Sequence, residues 1–262
     1  MDVGSLLPVW SIVPFIGMLL SIAIIPLVKP EWWEHHQLHV ALAWSLIFVI
    51  PFGIVFGIHE LSLQLAESIV LDYIPFIVLL LGLFVVAGGI VIKGTIIGTT
   101  KVNMIILSIG TLLASFIGTT GAAMLFIRPL LRANAWRKYK AHTVIFFIFM
   151  VANLGGSLTP LGDPPLFLGY LRGVPFFWTF QNIWHLALFN AVILLLIYFF
   201  IDKFFLKKEY AAGRHPEDVL DGQVKEKVSL EGAHNIIFLV MILIAVILNG
   251  SLGKIDAFID PA

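Results

Sequence analysis

A chain of 262 residues that is 60% hydrophobic and 12% charged carries more apolar surface than a water-soluble domain of its size can bury. Its apolar residues come in long runs, so the composition excludes an ordinary soluble enzyme and predicts a polytopic membrane protein. Basic and acidic residues cancel and no cysteine is present. Nothing in the net charge selects a nucleic acid, and disulfides and thiolate metal sites are removed.

The N-terminal stretch MDVGSLLPVW lacks the basic flank of a signal peptide, so the first apolar segment reads as a retained span. Runs of about 17 to 25 apolar residues suffice to cross the hydrocarbon core as helices. Spans are expected at 9–28, 40–58, 73–92, 184–202 and 234–250, with less regular stretches at 102–130 and 142–180. Before the second span, EWWEHHQLH offers Glu31, Glu34, His35, His36 and His39. A helix there would set His35 and His39 on one face at metal-like spacing, but Trp32 and Trp33 favour an interfacial anchor. His59 and Glu60 read as the solvated outer end of a span, and Arg128 beside Pro129 as a snorkelling residue. The segment 207–233, with KKEYAAGRHPEDVLDGQVKEK, reads as a hydrophilic linker.

Orientation follows from Lys and Arg. With the N-terminus outside, every one of the 16 basic residues except Arg172 and Lys254 falls inside. That distribution requires 102–130 to enter and leave on the same side, because Lys93 and Lys101 precede it and Arg132, Arg137, Lys138 and Lys140 follow it. The segment is therefore expected to be a re-entrant hairpin, with Gly118-Thr119-Thr120-Gly121 as its tip.

A second interruption is NLGGSLTPLGDPPLF, 153–167, where Gly155, Gly156, Pro160, Pro164 and Pro165 prevent an unbroken helix. A helix broken at mid-depth is expected over 142–180. Irregular backbone at membrane depth is tolerated only where it is buried in protein or lines a wet cavity, so both interruptions are site candidates. Asp163 before Pro164 has the pattern of a helix N-cap, and it is also the one good titratable candidate at depth.

The stretch ANLGGSLTPLGDPPLFLG resembles the Gly-Gly and Gly-Asp-Pro-Pro signature of the ArsB/NhaD branch of the ion transporter superfamily, which holds sodium/proton antiporters and citrate transporters. FVVAGGIVIKGTIIGT (84–99), SFIGTTGAAMLFIRPLL (115–131) and FLGYLRGVPFFW (167–178) extend the resemblance over most of the chain. It implies an all-α fold of two inverted repeats, each with a re-entrant hairpin and a broken helix whose tips meet near the midplane. The implied activity is secondary active transport by alternating access, with sodium ions and protons as coupling ions and no other cofactor. The implied binding positions are Gly118, Thr119 and Thr120 at the hairpin tip and Asn153, Gly155, Gly156, Ser157, Thr159, Pro160 and Asp163 at the break. Sodium would sit on Thr119, Thr120, Ser157 and Thr159. Many relatives carry Asp-Asn-Thr or Ser-Asn-Thr at the tip, where this chain has Ile117-Gly118-Thr119-Thr120.

Sodium/proton antiport is the favoured expectation, since Asp163 can carry a proton and no Arg or Lys is evident at membrane depth for a tricarboxylate. Citrate or another organic anion is the alternative substrate. A channel ranks lower, and so does an intramembrane aspartyl protease, because Pro160 replaces the first Gly of a Gly-x-Gly-Asp motif and no second mid-span acid is visible. The chain is expected to divide into helices at 1–101, a transport core at 102–180, a span at 181–206, the linker at 207–233 and the start of a further helical unit at 234–262. One hairpin and one broken helix make a single repeat. Residues beyond Ala262 are therefore expected, with a homodimer in a bacterial inner membrane once complete. Its surroundings would be lipid, its substrate a small ion or organic anion, and no nucleic acid would be bound.

Overall fold

The computed structural model describes residues 6–216 and 226–252. Among them, six helices are long and apolar enough to cross a bilayer: Val9–Val28, Pro30–Phe56, Ile58–Gly88, Thr100–Ile117, Ala141–Leu158 and Trp178–Ala211. The protein is thus an all-α integral membrane protein, as its composition predicts. Its chain forms two compact units, Met1–Val70 and Leu71–Ala262.

In the first unit a short 3-10 turn, Val9–Ile12, leads into α1 (Val13–Val28), followed by α2 (Pro30–Phe56) and α3 (Ile58–Glu67). α1 and α2 pack where Gly17 leaves room for the Trp44 ring. The Trp44 indole nitrogen donates to Ser21 Oγ at 3.0 Å, and that hydroxyl donates to the Gly17 carbonyl at 2.7 Å. α2 begins ten residues before the expected span because Pro30 is a ready first helical residue and nothing in EWWEHHQLH breaks a helix. Within it, the Nδ1 atoms of His35 and His36 lie 2.9 and 2.8 Å from the carbonyls of Glu31 and Trp32, and His36 stacks on Trp32. No group of three His, Cys, Asp or Glu that could hold a metal occurs among the described residues. His59 and Glu60, read as the solvated outer end of a span, lie in the first turn of α3, and helix continues because neither Gly nor Pro follows before Pro75. It passes through a π-helical turn at Ser68–Tyr73.

The second unit runs α4 (Ile74–Gly88), β1 (Val91–Lys93), α5 (Thr100–Ile117), α6 (Thr119–Ala133), α7 (Ala141–Met150), a 3-10 turn (Leu154–Leu158), α8 (Pro164–Leu171), α9 (Trp178–Ala211), β2 (Ser229–Glu231) and α10 (Asn235–Leu252). α5 opens on Thr99, whose side chain accepts the Val102 amide. It ends at Gly118, where φ is +78° and ψ is 150°, a conformation essentially reserved for glycine. The chain therefore reverses over one residue and α6 returns along α5. At the open end of this hairpin the amides of Asn103 and Asn134 exchange two hydrogen bonds of 2.9 and 2.8 Å, both side chains being buried.

Around the hairpin, Leu107, Ala114, Ala122, Leu130, Met150, Val151 and Tyr198 form a core from which solvent is nearly excluded. α9 is longer than the apolar run 184–202 that announces it. It extends through Asp202 and Glu209, both buried, because each finds polar partners in the 134–143 region. Part of the hydrophilic linker is a strand: β2 pairs antiparallel with β1 in the register Val91 to Glu231 and Lys93 to Ser229. An exposed Lys93–Glu231 ion pair of 2.7 Å joins the strands, and Arg132 at the end of α6 donates to the Ile92 carbonyl at 2.6 Å. The linker residues 217–225 and the tail 253–262 lie outside the described residues.

Candidate functional site

The second interruption begins earlier than its sequence suggests. α7 stops at Met150, the backbone turns through Asn153, and a 3-10 turn carries it to Leu158 before Thr159 becomes extended. Helix resumes at Pro164. Asp163 occupies the N-cap position of α8, yet its side chain makes no capping bond. The cause is local: Pro164 and Pro165 have no N–H to offer, and the amides of Leu166 and Phe167 both donate to the Asp163 carbonyl, at 3.1 and 3.2 Å. The carboxylate is left without a hydrogen bond among the described residues, half-buried, and on the wall of a cleft.

Three hydrogen bonds seat the hairpin tip in this break. The Thr119 amide donates to the Gly162 carbonyl at 3.1 Å, Ser115 Oγ donates to the Gly155 carbonyl at 2.5 Å, and Thr159 Oγ1 donates to the Ser115 carbonyl. Glycines make the approach possible. A methyl group on Gly156 would sit 2.7 Å from both the Gly162 carbonyl oxygen and Thr119 Cγ2, and one on Gly155 would sit 2.6 Å from Ala114 Cβ. From the other side, Thr179 at the start of α9 donates to the Leu158 carbonyl at 2.8 Å.

Where tip and break meet lies a cleft of about 310 Å³. Ile117 to Gly121 form one wall, Pro160 to Pro164 with Phe167 a second, and Phe76, Leu79, Leu80, Leu83 and Phe84 of α4 an apolar third. The first residues of two helices, Thr119 of α6 and Pro164 of α8, open on it. Asp163 is its one ionisable side chain, and no Lys, Arg or His lines it among the described residues.

The residues singled out from sequence thus divide. Gly118, Thr119, Thr120, Pro160 and Asp163 line the cleft together. Gly155, Gly156 and Thr159 lie behind it, where they hold the tip. Ser157 is not on the cleft wall, and its buried hydroxyl has no partner among the described residues. Asn153 is exposed, and its carbonyl accepts the Gly156 amide at 3.0 Å.

A second polar cluster lies at the open end of the hairpin, and sequence reasoning missed it. Asp202 and Arg137 are fully buried and paired at 2.7 Å through Asp202 Oδ1, the oxygen that His142 Nε2 also reaches at 2.8 Å. Thr100 donates to Asp202 Oδ2 at 2.6 Å, and Arg137 Nη1 also donates to Asn134 Oδ1 at 3.0 Å. Close by, Thr143 Oγ1 lies 3.2 Å from the Tyr198 hydroxyl. Both a buried acid and a buried base are therefore present where the sequence showed neither. The span expected at 184–202 ends on Asp202, and Arg137 counts among the inside basic residues that follow the hairpin. One signal was available: an acid inside a long apolar run needs a partner, and RKYKAH supplied the bases.

A family model described as "Putative citrate transport" matches residues 4–259. No curated protein and no solved structure gives a match.

Proposed function

The chain belongs to that citrate transport family, and on this premise we propose that it is a secondary active transporter exchanging sodium ions for protons by alternating access. The observation that carries the reading is the charge of the cleft: among mostly apolar walls it holds one carboxylate, Asp163, with Thr119, Thr120 and irregular backbone beside it, and no cationic side chain among the described lining residues. Unwound carbonyls and hydroxyls are hard oxygen donors suited to a hard monovalent cation, and a carboxylate beside them balances its charge.

In this reading Thr119, Thr120 and Asp163 hold the ion, and Thr159 with Gly155 and Gly156 keeps the tip seated against the break. Proton and sodium compete for Asp163. The ionised carboxylate holds the cation, and protonation releases it, so one group couples the two gradients. The N-terminus is outside in this arrangement, as the distribution of basic residues suggests.

Uptake of citrate or a related organic anion is the second reading. Two observations favour it: the family description and the two helix N-termini opening on the cleft, whose positive dipole ends attract carboxylates. Everted vesicles separate the two. The first reading predicts that added sodium drives proton movement while citrate does not accumulate; sodium-dependent citrate accumulation without proton movement would select the second.

A further inference from the structure

We propose that His142, hydrogen-bonded to Asp202, is a second proton-binding site of this protein, separate from Asp163, and that its protonation repositions the hairpin that carries the ion site. The proposal deepens the ion-exchange reading above, on which its consequence for transport rests.

The geometry at Asp202 is the starting point. One carboxylate on α9 ties together the first residue of α5 through Thr100, the loop leaving α6 through Arg137, and the second residue of α7 through His142. Arg137 in turn reaches Asn134, which is clamped to Asn103 across the open end of the hairpin. The three rods that carry the tip and the break to the cleft are thus pinned at one point. α5 spans 18 residues, about 27 Å at the helical rise of about 1.5 Å per residue, so a small tilt at the pin becomes a larger displacement at Thr119 and Thr120.

Charge decides what happens at that pin. Arg137 keeps its charge at every physiological pH, and its guanidinium and the Asp202 carboxylate are both wholly shielded from water. With His142 neutral, the cluster carries one cation and one anion. His142 carries two ring nitrogens and is 10% exposed, so a proton can reach it from solvent. Protonation puts a second cation on Asp202 Oδ1, the oxygen that already accepts from Arg137. The two cations then compete for one oxygen in a site with little water to screen them.

The other groups facing His142 cannot cancel that charge. Tyr198 of α9, with its ring 5.9 Å away, and Thr143 are neutral, Phe205 stacks at 4.8 Å, α5 brings the neutral Thr100 and Asn103 to the cluster, and the other buried acid of α9, Glu209, is already paired with Arg214 at 2.5 Å. Arg137 Nε and Nη2 have no hydrogen-bond partner among the described residues, so the guanidinium's hydrogen bonds are those of Nη1 to Asp202 and Asn134, beside its 5.6 Å approach to the Trp136 ring. Weakening the Asp202 bond loosens the loop that closes the hairpin.

The test reads the hairpin tip directly, without transport. The chain has no native cysteine, so Thr120→Cys places one thiol at the exposed tip of the full chain in nanodiscs. Lys207→Cys in a second sample supplies a reference thiol on exposed α9 surface. The rate of modification by a small impermeant reagent, taken as the ratio of tip to reference, is measured from pH 5.5 to pH 8. We expect the ratio to rise about threefold or more on acidification with His142 present. It should become flat in His142→Gln, which keeps a donor for Asp202 but takes no proton. If His142→Gln does not fold, His142→Phe keeps the stack on Phe205 and also takes no proton. A flat ratio with His142 present, or a rise that persists in either folded variant, would overturn the proposal. A protein that moves citrate rather than sodium would leave this result intact. Sodium/proton exchange with a flat ratio would remove this site and leave the exchange reading standing.

Discussion

Replacing Gly156 by Ala asks whether the hairpin tip is held by the close glycine contact at the break. The new Cβ would lie 2.7 Å from the Gly162 carbonyl oxygen, 2.7 Å from Thr119 Cγ2 and 3.0 Å from the Gly162 carbonyl carbon, against ordinary contact at 3.4 Å and beyond. Thr119 can rotate its methyl aside. Gly162 cannot yield, because its carbonyl accepts the Thr119 amide and its own amide donates to Thr159 at 3.0 Å. Backbone must separate from backbone, and overpacking of this kind costs about 1–3 kcal/mol, a population shift of roughly 5- to 150-fold. The entropy that alanine removes from the unfolded chain offsets at most about 1 kcal/mol of that. Gly169→Ala is the matched control, since its nearest neighbour, Val174 Cγ2, would be 3.8 Å away and helical alanine gains about 1 kcal/mol over glycine. Both variants are unfolded with denaturant in detergent and assayed for transport. Gly156→Ala should unfold at lower denaturant and lose transport, with Gly169→Ala at or above the parent. Equal stability of all three proteins would refute the steric account of the tip.

Asp163→Asn should keep the protein in the membrane and remove the pH dependence of sodium affinity in flux assays. In the parent, affinity should fall as pH falls and protons displace sodium; an unchanged profile would reduce Asp163 to a helix-start residue. Thr119→Val, which keeps the branched shape and removes an oxygen, should raise the sodium concentration for half-maximal transport more than it lowers expression. Asp202→Ala should destabilise by about 3–5 kcal/mol by stranding the buried Arg137 charge, and Asp202→Leu with Arg137→Leu should recover most of it in the same unfolding assay. Lys138→Cys should react with impermeant reagent from inside only, and reaction from outside would contradict the hairpin orientation.

What the sequence disclosed, and what it hid, follows from the range of the interactions. The turn between α5 and α6 was legible because Gly118-Thr119-Thr120-Gly121 and the basic residues on both flanks are local signals, and the structure makes that turn at Gly118 with φ +78°. The break was legible because Gly155, Gly156, Pro160 and the two prolines after Asp163 all oppose a helix. Its starting point was not: MVAN has no breaker, and α7 ends at Met150 where Gly155 must pass close to Ala114. The Asp202 cluster hid for a related reason. Asp202 and Thr100 are 102 positions apart, and Asp202 and Arg137 are 65 apart, so no window of sequence contains the partners that make the burial tolerable. The β1–β2 pairing joins 91–93 to 229–231 across the whole core, and three-residue strands leave no periodicity to read.

The central claim, that the cleft between hairpin tip and broken helix exchanges sodium for protons, is tested most directly by radioactive sodium uptake into proteoliposomes of the purified chain under an imposed pH gradient. The account predicts accumulation of sodium against its gradient when the lumen is acid, collapse of that accumulation by a protonophore, and its loss in Asp163→Asn. Sodium uptake indifferent to the pH gradient, accompanied by accumulation of citrate, would contradict it.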